Sequence, residues 1–119
     1  MGYYSKVVIG FSEEANQKFQ KELDILKVDE KLKDLYQKVK DLLERHAEKS
    51  RYNAAYIYEW DGIKWEDQFP EIEWIQNFIN SLEMEDFKFL RIGEDVGDIE
   101  FYGWNDEANF EPVTDVQFY

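Results

Sequence analysis

The chain has no cysteine, a single histidine and only two prolines among its 119 residues. Without cysteine there is no disulfide framework, no thiolate nucleophile and no zinc-finger spacing. A serine-based triad would have His46 as its only candidate base. That residue sits on the apolar stripe of a helical segment, where it reads as a helix C-terminal histidine near the negative end of the dipole. Long apolar runs are missing as well. Pieces such as Lys6-Val7-Val8-Ile9-Gly10-Phe11 are far too short for a membrane span or a signal peptide. The opening Met1-Gly2 fits a myristoylation pattern, but Lys6 stands where that pattern wants Ser or Thr. A cytoplasmic protein is the expectation.

Basic residues are scarce, and unevenly so. Net charge is −13, from 14 Lys and Arg against 27 Asp and Glu. Residues 1–58 hold eleven bases and ten acids, a balance of +1. Residues 59–119 hold only Lys64, Lys88 and Arg91 against seventeen acids, a balance of −14 that restores the total. A field of that sign disfavours direct binding of nucleic acid or anionic membrane and favours a partner with a basic surface.

What is abundant is the aromatic class, 18% of residues with four Trp, eight Tyr and nine Phe. Rings of this number remove enough apolar area from water to hold one core, and 119 residues fit one domain, 1–119. Alternation over 3–11 predicts a first strand. Ser12 then offers an N-cap to a helix striped by Ala15, Phe19, Leu23 and Leu26. Asp29 would cap a second helix, with Leu32, Leu35, Tyr36, Val39, Leu42, Leu43 and His46 as its stripe. Period two returns at 52–60, with Tyr52, Ala54, Tyr56, Tyr58 and Trp60 on one face, and helices on one side of the sheet would leave some of these rings facing outward as a binding surface. Asp61-Gly62 is the strongest hairpin signal in the chain and predicts a type I′ turn, with Ile63 to Trp65 as the returning arm.

Pro70 suits the first turn of a third helix striped by Ile72, Ile75, Phe78, Ile79 and Leu82. Strands are predicted at Phe87–Ile92 and Ile99–Trp104, and a short last one at Val113–Phe118. The order β-α-α-β-β-α-β-β predicts an α+β fold, an antiparallel sheet of about four to six strands with three helices on one side.

Three stretches carry a resemblance. Met1-Gly2-Tyr3-Tyr4-Ser5, then Ile63-Lys64-Trp65 running to Phe69-Pro70-Glu71-Ile72, then Arg91-Ile92-Gly93-Glu94-Asp95 with Asp98-Ile99-Glu100 together resemble small phage and prophage proteins. The likeness spans the first strand and most of 63–100; the helices at 13–48 lie outside it. It brings no activity with it. It implies a phage-like setting in the cytoplasm of a host cell, where small acidic proteins often inhibit host nucleic-acid enzymes or defence systems.

Catalytic motifs are missing: there is no Walker A loop, dinucleotide fingerprint or HExxH. Asp86-Phe87-Lys88 has the acid-x-Lys form of some metal nucleases, without an identifiable upstream metal-binding acid. Glu94, Asp95, Asp98 and Glu100 are the best metal candidates, but their spacing is not that of an EF-hand loop and a solvated turn accounts for them. No metal and no cofactor is therefore expected. The expected function is non-enzymatic binding of a basic protein. The expected contact residues are Glu94, Asp95, Asp98 and Glu100, with Tyr102 and Trp104 as apolar anchors. A structural or assembly protein dimerising through its sheet face and a metal-dependent hydrolase are the alternatives.

Overall fold

The most apolar strand lies at the centre of the sheet. A computed structural model describes residues 3–46, 48–52 and 55–105. Strand β1 (Ser5–Phe11) pairs with β3 (Ala55–Ile63) on one side and β4 (Phe87–Ile92) on the other. Outside these lie β2 (Glu48–Tyr52) and β5 (Ile99–Tyr102), giving the order β2-β3-β1-β4-β5 with every pairing antiparallel. A central strand is buried on both faces, so Val7, Val8 and Ile9 follow one another with hardly any exposure.

Helices α1 (Glu13–Val28), α2 (Lys33–Asp41) and α3 (Pro70–Asn80) supply side chains to a single cluster on one face of the sheet. Val7, Ile9, Phe11, Tyr58, Trp60, Phe87 and Phe89 meet Phe19, Val39, Ile75 and Ile79 there. Val8, Ala55, Ile57 and Leu90 form a smaller cluster on the other face. The α+β class, the three helices and the order β-α-α-β-β-α-β-β match the sequence expectation, although the two middle strands are Glu48–Tyr52 and Ala55–Ile63 rather than 52–60 and 63–65.

Local signals explain the helix ends. Ser12 caps α1, its Oγ accepting from the Ala15 N–H at 3.0 Å while donating to Asp86 Oδ1 at 3.3 Å. Pro70 opens α3, where its missing N–H costs nothing. Asp29 caps a 3-10 turn over Glu30–Leu32, so the second helix is shorter than its apolar stripe suggested. It gives way to a π-turn at Leu42–His46. The Leu42 carbonyl accepts there from the Trp60 indole N–H at 3.1 Å, which satisfies a buried donor.

Four sequence expectations are corrected. Asp61-Gly62 is not a hairpin turn: β3 runs through both residues, and Gly62 is not among the positive-φ glycines that a type I′ turn requires. Ser5 pairs with Ile63 and Val7 with Trp60, so β3 takes three steps where β1 takes two, and the glycine sits in a bulge. The hairpin lies upstream, closing at Tyr52↔Ala55, and no returning arm follows Gly62. Pairing along the whole of a central strand outweighs a local turn preference. Tyr56, Tyr58 and Trp60 share a face as expected, but it is the face under the helices. The strand expected at 99–104 ends at Tyr102, because Gly103 at φ 86° turns the chain. Leu32 does not join the core and is 40% exposed. The expected strand at Val113–Phe118, Ala54 and the His46 side chain lie outside the described residues.

Candidate functional site

On the helix-covered face, α3 does not reach over the edge strand β5. Between them lies a cleft of about 580 Å³. Trp65 and Tyr102 form its floor, both packed on the fully buried Phe89, with ring centroids 6.0 Å and 4.9 Å from it. A chain of hydrogen bonds crosses the floor. The Trp65 indole N–H donates to Gln76 Oε1 at 2.8 Å, and Gln76 Nε2 donates to the Tyr102 hydroxyl at 3.0 Å. Burial pushes the Tyr102 phenol above its usual range, so the ring stays neutral and keeps its own proton to donate.

One helix wall is polar by spacing. Glu73, Gln76, Asn77 and Asn80 recur at three and four residues on α3, flanking the apolar stripe of Ile72, Ile75 and Ile79. Asp67 comes from the loop between β3 and α3.

The far end is closed by an ion cluster. Arg91, with its side chain 14% exposed, donates from Nε to Glu100 Oε1 at 2.7 Å and from Nη2 to Asp98 Oδ1 at 2.7 Å. Its Nη1 reaches Ser5 Oγ at 3.0 Å. Partial burial works against the guanidinium charge, but the two carboxylates outweigh it and hold Arg91 above its usual range. Asp98 is held below the usual carboxylate range, first by Arg91 and then by the Tyr3 hydroxyl that donates to it. The same Tyr3 oxygen accepts from the Asp95 N–H at 3.0 Å. Tyr4 N–H donates to Glu94 Oε2 at 2.6 Å. The β4–β5 loop is thereby stitched to the residues preceding β1.

Of the six residues expected from the sequence, Asp98, Glu100 and Tyr102 line the cleft. Glu94 and Asp95 sit outside it in the β4–β5 loop, engaged with Tyr4 and Tyr3. Trp104 is past the end of β5, its backbone N–H donating to the Met84 carbonyl at 2.8 Å and the residue 59% exposed. Sequence reasoning missed Trp65, Asp67, Arg91 and the polar face of α3. The α3 face was legible as a second stripe on that helix; Asp67 and Arg91 carried no local signal.

The cleft is acidic. Asp67, Glu73, Asp98 and Glu100 line it against one guanidinium, a formal balance of −3. Among the described residues no group of three or more His, Asp or Glu is placed to hold a metal ion, and no helix is long and apolar enough to cross a membrane. No family model, curated protein or solved structure matches the chain.

Proposed function

We propose that this protein is a non-enzymatic binder of a basic protein, and that the cleft between α3 and β5 is its contact surface. The observation that carries the reading is the state of Arg91. Four of its five N–H donors go to Asp98, Glu100 and Ser5, and two carboxylates already balance its charge, so it is poorly placed to draw an anionic ligand. Asp67 and Glu73, by contrast, have no described ion pair and stand beside aromatic walls. Carboxylates next to Trp65 and Tyr102 suit a guanidinium or ammonium group, which gains both charge pairing and a ring face. The resemblance to phage proteins extends the reading to an inhibitor of a host nucleic-acid-binding or defence protein, its carboxylates standing in for phosphates.

The test starts with affinity capture from host lysate, followed by binding kinetics at two salt concentrations. Neutralising the pair with Asp67→Asn and Glu73→Gln is expected to slow association and flatten its salt dependence. Glu94→Gln with Asp95→Asn, outside the cleft, is expected to do less. Unchanged association for the first pair would sink the reading.

A further inference from the structure

The two edges of the sheet are protected very differently. Outer strand β2 has Lys49 and Arg51 in its sequence, the kind of residue that blunts an edge against pairing. Outer strand β5 is Ile99-Glu100-Phe101-Tyr102, with no lysine, proline or bulge. Its ladder to β4 fixes which backbone groups point away from the sheet. Gly93 N–H donates to the Asp98 carbonyl at 2.8 Å, and Arg91 pairs with Glu100. Alternation along an antiparallel ladder then points the Glu100 and Tyr102 groups toward β4 and the Ile99 and Phe101 groups outward. The Ile99 N–H is taken by the Gly97 carbonyl at 3.0 Å. The Ile99 carbonyl and both peptide groups of Phe101 meet no backbone partner among the described residues.

Side chains along the same strand divide by face. Ile99 and Phe101, each 38% exposed, lie on the face away from the helices. Glu100 and Tyr102 lie on the helix side and line the acidic cleft. An incoming strand would lie about 4.8 Å from β5 and alternate its side chains in the same way. Those opposite Glu100 and Tyr102 would enter the cleft, with Cβ atoms about 5 Å apart in each cross-strand pair. Those opposite Phe101 would rest on apolar surface.

We infer that the outer edge of β5 takes an extended, alternately basic and apolar segment of a partner protein as a sixth strand, its basic side chains entering the acidic cleft. This rests on the binder reading above and adds a mode of recognition to it: backbone pairing for affinity, alternate side chains for specificity. A second copy of this chain fits less well. Pairing β5 with β5 would bring two acidic clefts together, on a molecule whose net charge is already −13.

The probe is a short synthetic peptide of alternating lysine and valine, compared with its isomer carrying the lysines in one block. A third peptide keeps the alternating sequence but is N-methylated at the amides that would face β5. Binding is read by fluorescence anisotropy, and the Phe101 amide by hydrogen exchange. The alternating peptide is expected to bind about tenfold tighter than the block isomer, to protect the Phe101 amide, and to lose binding on N-methylation. Phe101→Pro, which removes the outward N–H at an edge position that tolerates proline, is expected to reproduce that loss. Equal binding of all three peptides, weakened by neutralising Asp67 and Glu73, would overturn strand addition and leave the binder reading standing. Failure of every basic peptide to bind would remove both. Protection of the Phe101 amide without peptide, rising with protein concentration, would assign the edge to a homodimer and overturn the proposal.

Discussion

Tyr3 and Asp98, separated by 95 positions in the chain, share a hydrogen bond that fastens the start of the sheet to the β4–β5 loop. Asp98 in turn holds Arg91, so one carboxylate joins the residue ahead of β1, the loop and β4. Because its folded pKa is depressed, the stabilisation it brings is present above the unfolded value of about 3.9. It is lost as pH falls through the folded value. Tyr3→Phe removes one of the two groups that depress Asp98, and its acid limb should move to higher pH. Carboxyl carbon NMR of the titration reads this directly; an unmoved Asp98 would mean that the hydroxyl does not act on it.

Removing the guanidinium should be costly. Arg91→Ala leaves Asp98 and Glu100 facing each other without a cation, beside Asp67 and Glu73. We expect a loss of about 2 kcal/mol in urea unfolding, below the range for fully buried pairs because both carboxylates are partly solvated. Arg91→Lys should recover less than half, since one ammonium cannot fork between two acids.

Three glycines should respond differently to alanine. Gly62→Ala is expected to lie within about 0.5 kcal/mol of the parent, since a strand conformation favours alanine over glycine and nothing lies within 4 Å of the added carbon. Gly97→Ala, at φ 84° in open space, should cost about 1–2 kcal/mol. Gly103→Ala has both penalties, a φ of 86° and a Cβ only 2.3 Å from the Phe87 carbonyl oxygen. It should cost about 3 kcal/mol or more. Urea midpoints give the ranking, and a large loss at Gly62 would restore the turn that the fold rejects.

Tyr58 should titrate late. Burial pushes its phenol up to about 12, and its hydroxyl donates to Asn16 Oδ1 at 3.1 Å. A raised folded pKa keeps its stabilisation intact below the unfolded value of about 10 and loses it as pH climbs toward the folded one. The loss should reach about 2–3 kcal/mol across that window. Absorbance at alkaline pH should show a late step that Tyr58→Phe removes.

Much of the fold was legible in residue order alone. Ser12 marked the start of α1 and Pro70 the start of α3, because capping and the missing proline N–H act over a few residues. Alternation over 3–11 marked β1 as a strand before any partner strand was known. Asp61-Gly62 misled, because a local turn preference is weak beside the pairing of a nine-residue strand against the sheet's centre. At the site, Asp98, Glu100 and Tyr102 were picked out by composition, and the structure brings them together. Trp104 was grouped with them by strand alternation, which Gly103 interrupts.

The sequence by itself determined the α+β class, the element order and the acidic second half, since periodicity, capping and charge are properties of neighbours along the chain. Tertiary structure alone decided that Tyr56, Tyr58 and Trp60 face the helices and that Arg91 is occupied by Asp98 and Glu100. It alone brought Asp67 and α3 alongside the β5 edge. These outcomes depend on which strand each segment pairs with and which sheet face the helices cover. Both are settled by long-range burial, where pairing partners stand tens of residues apart and leave no local trace.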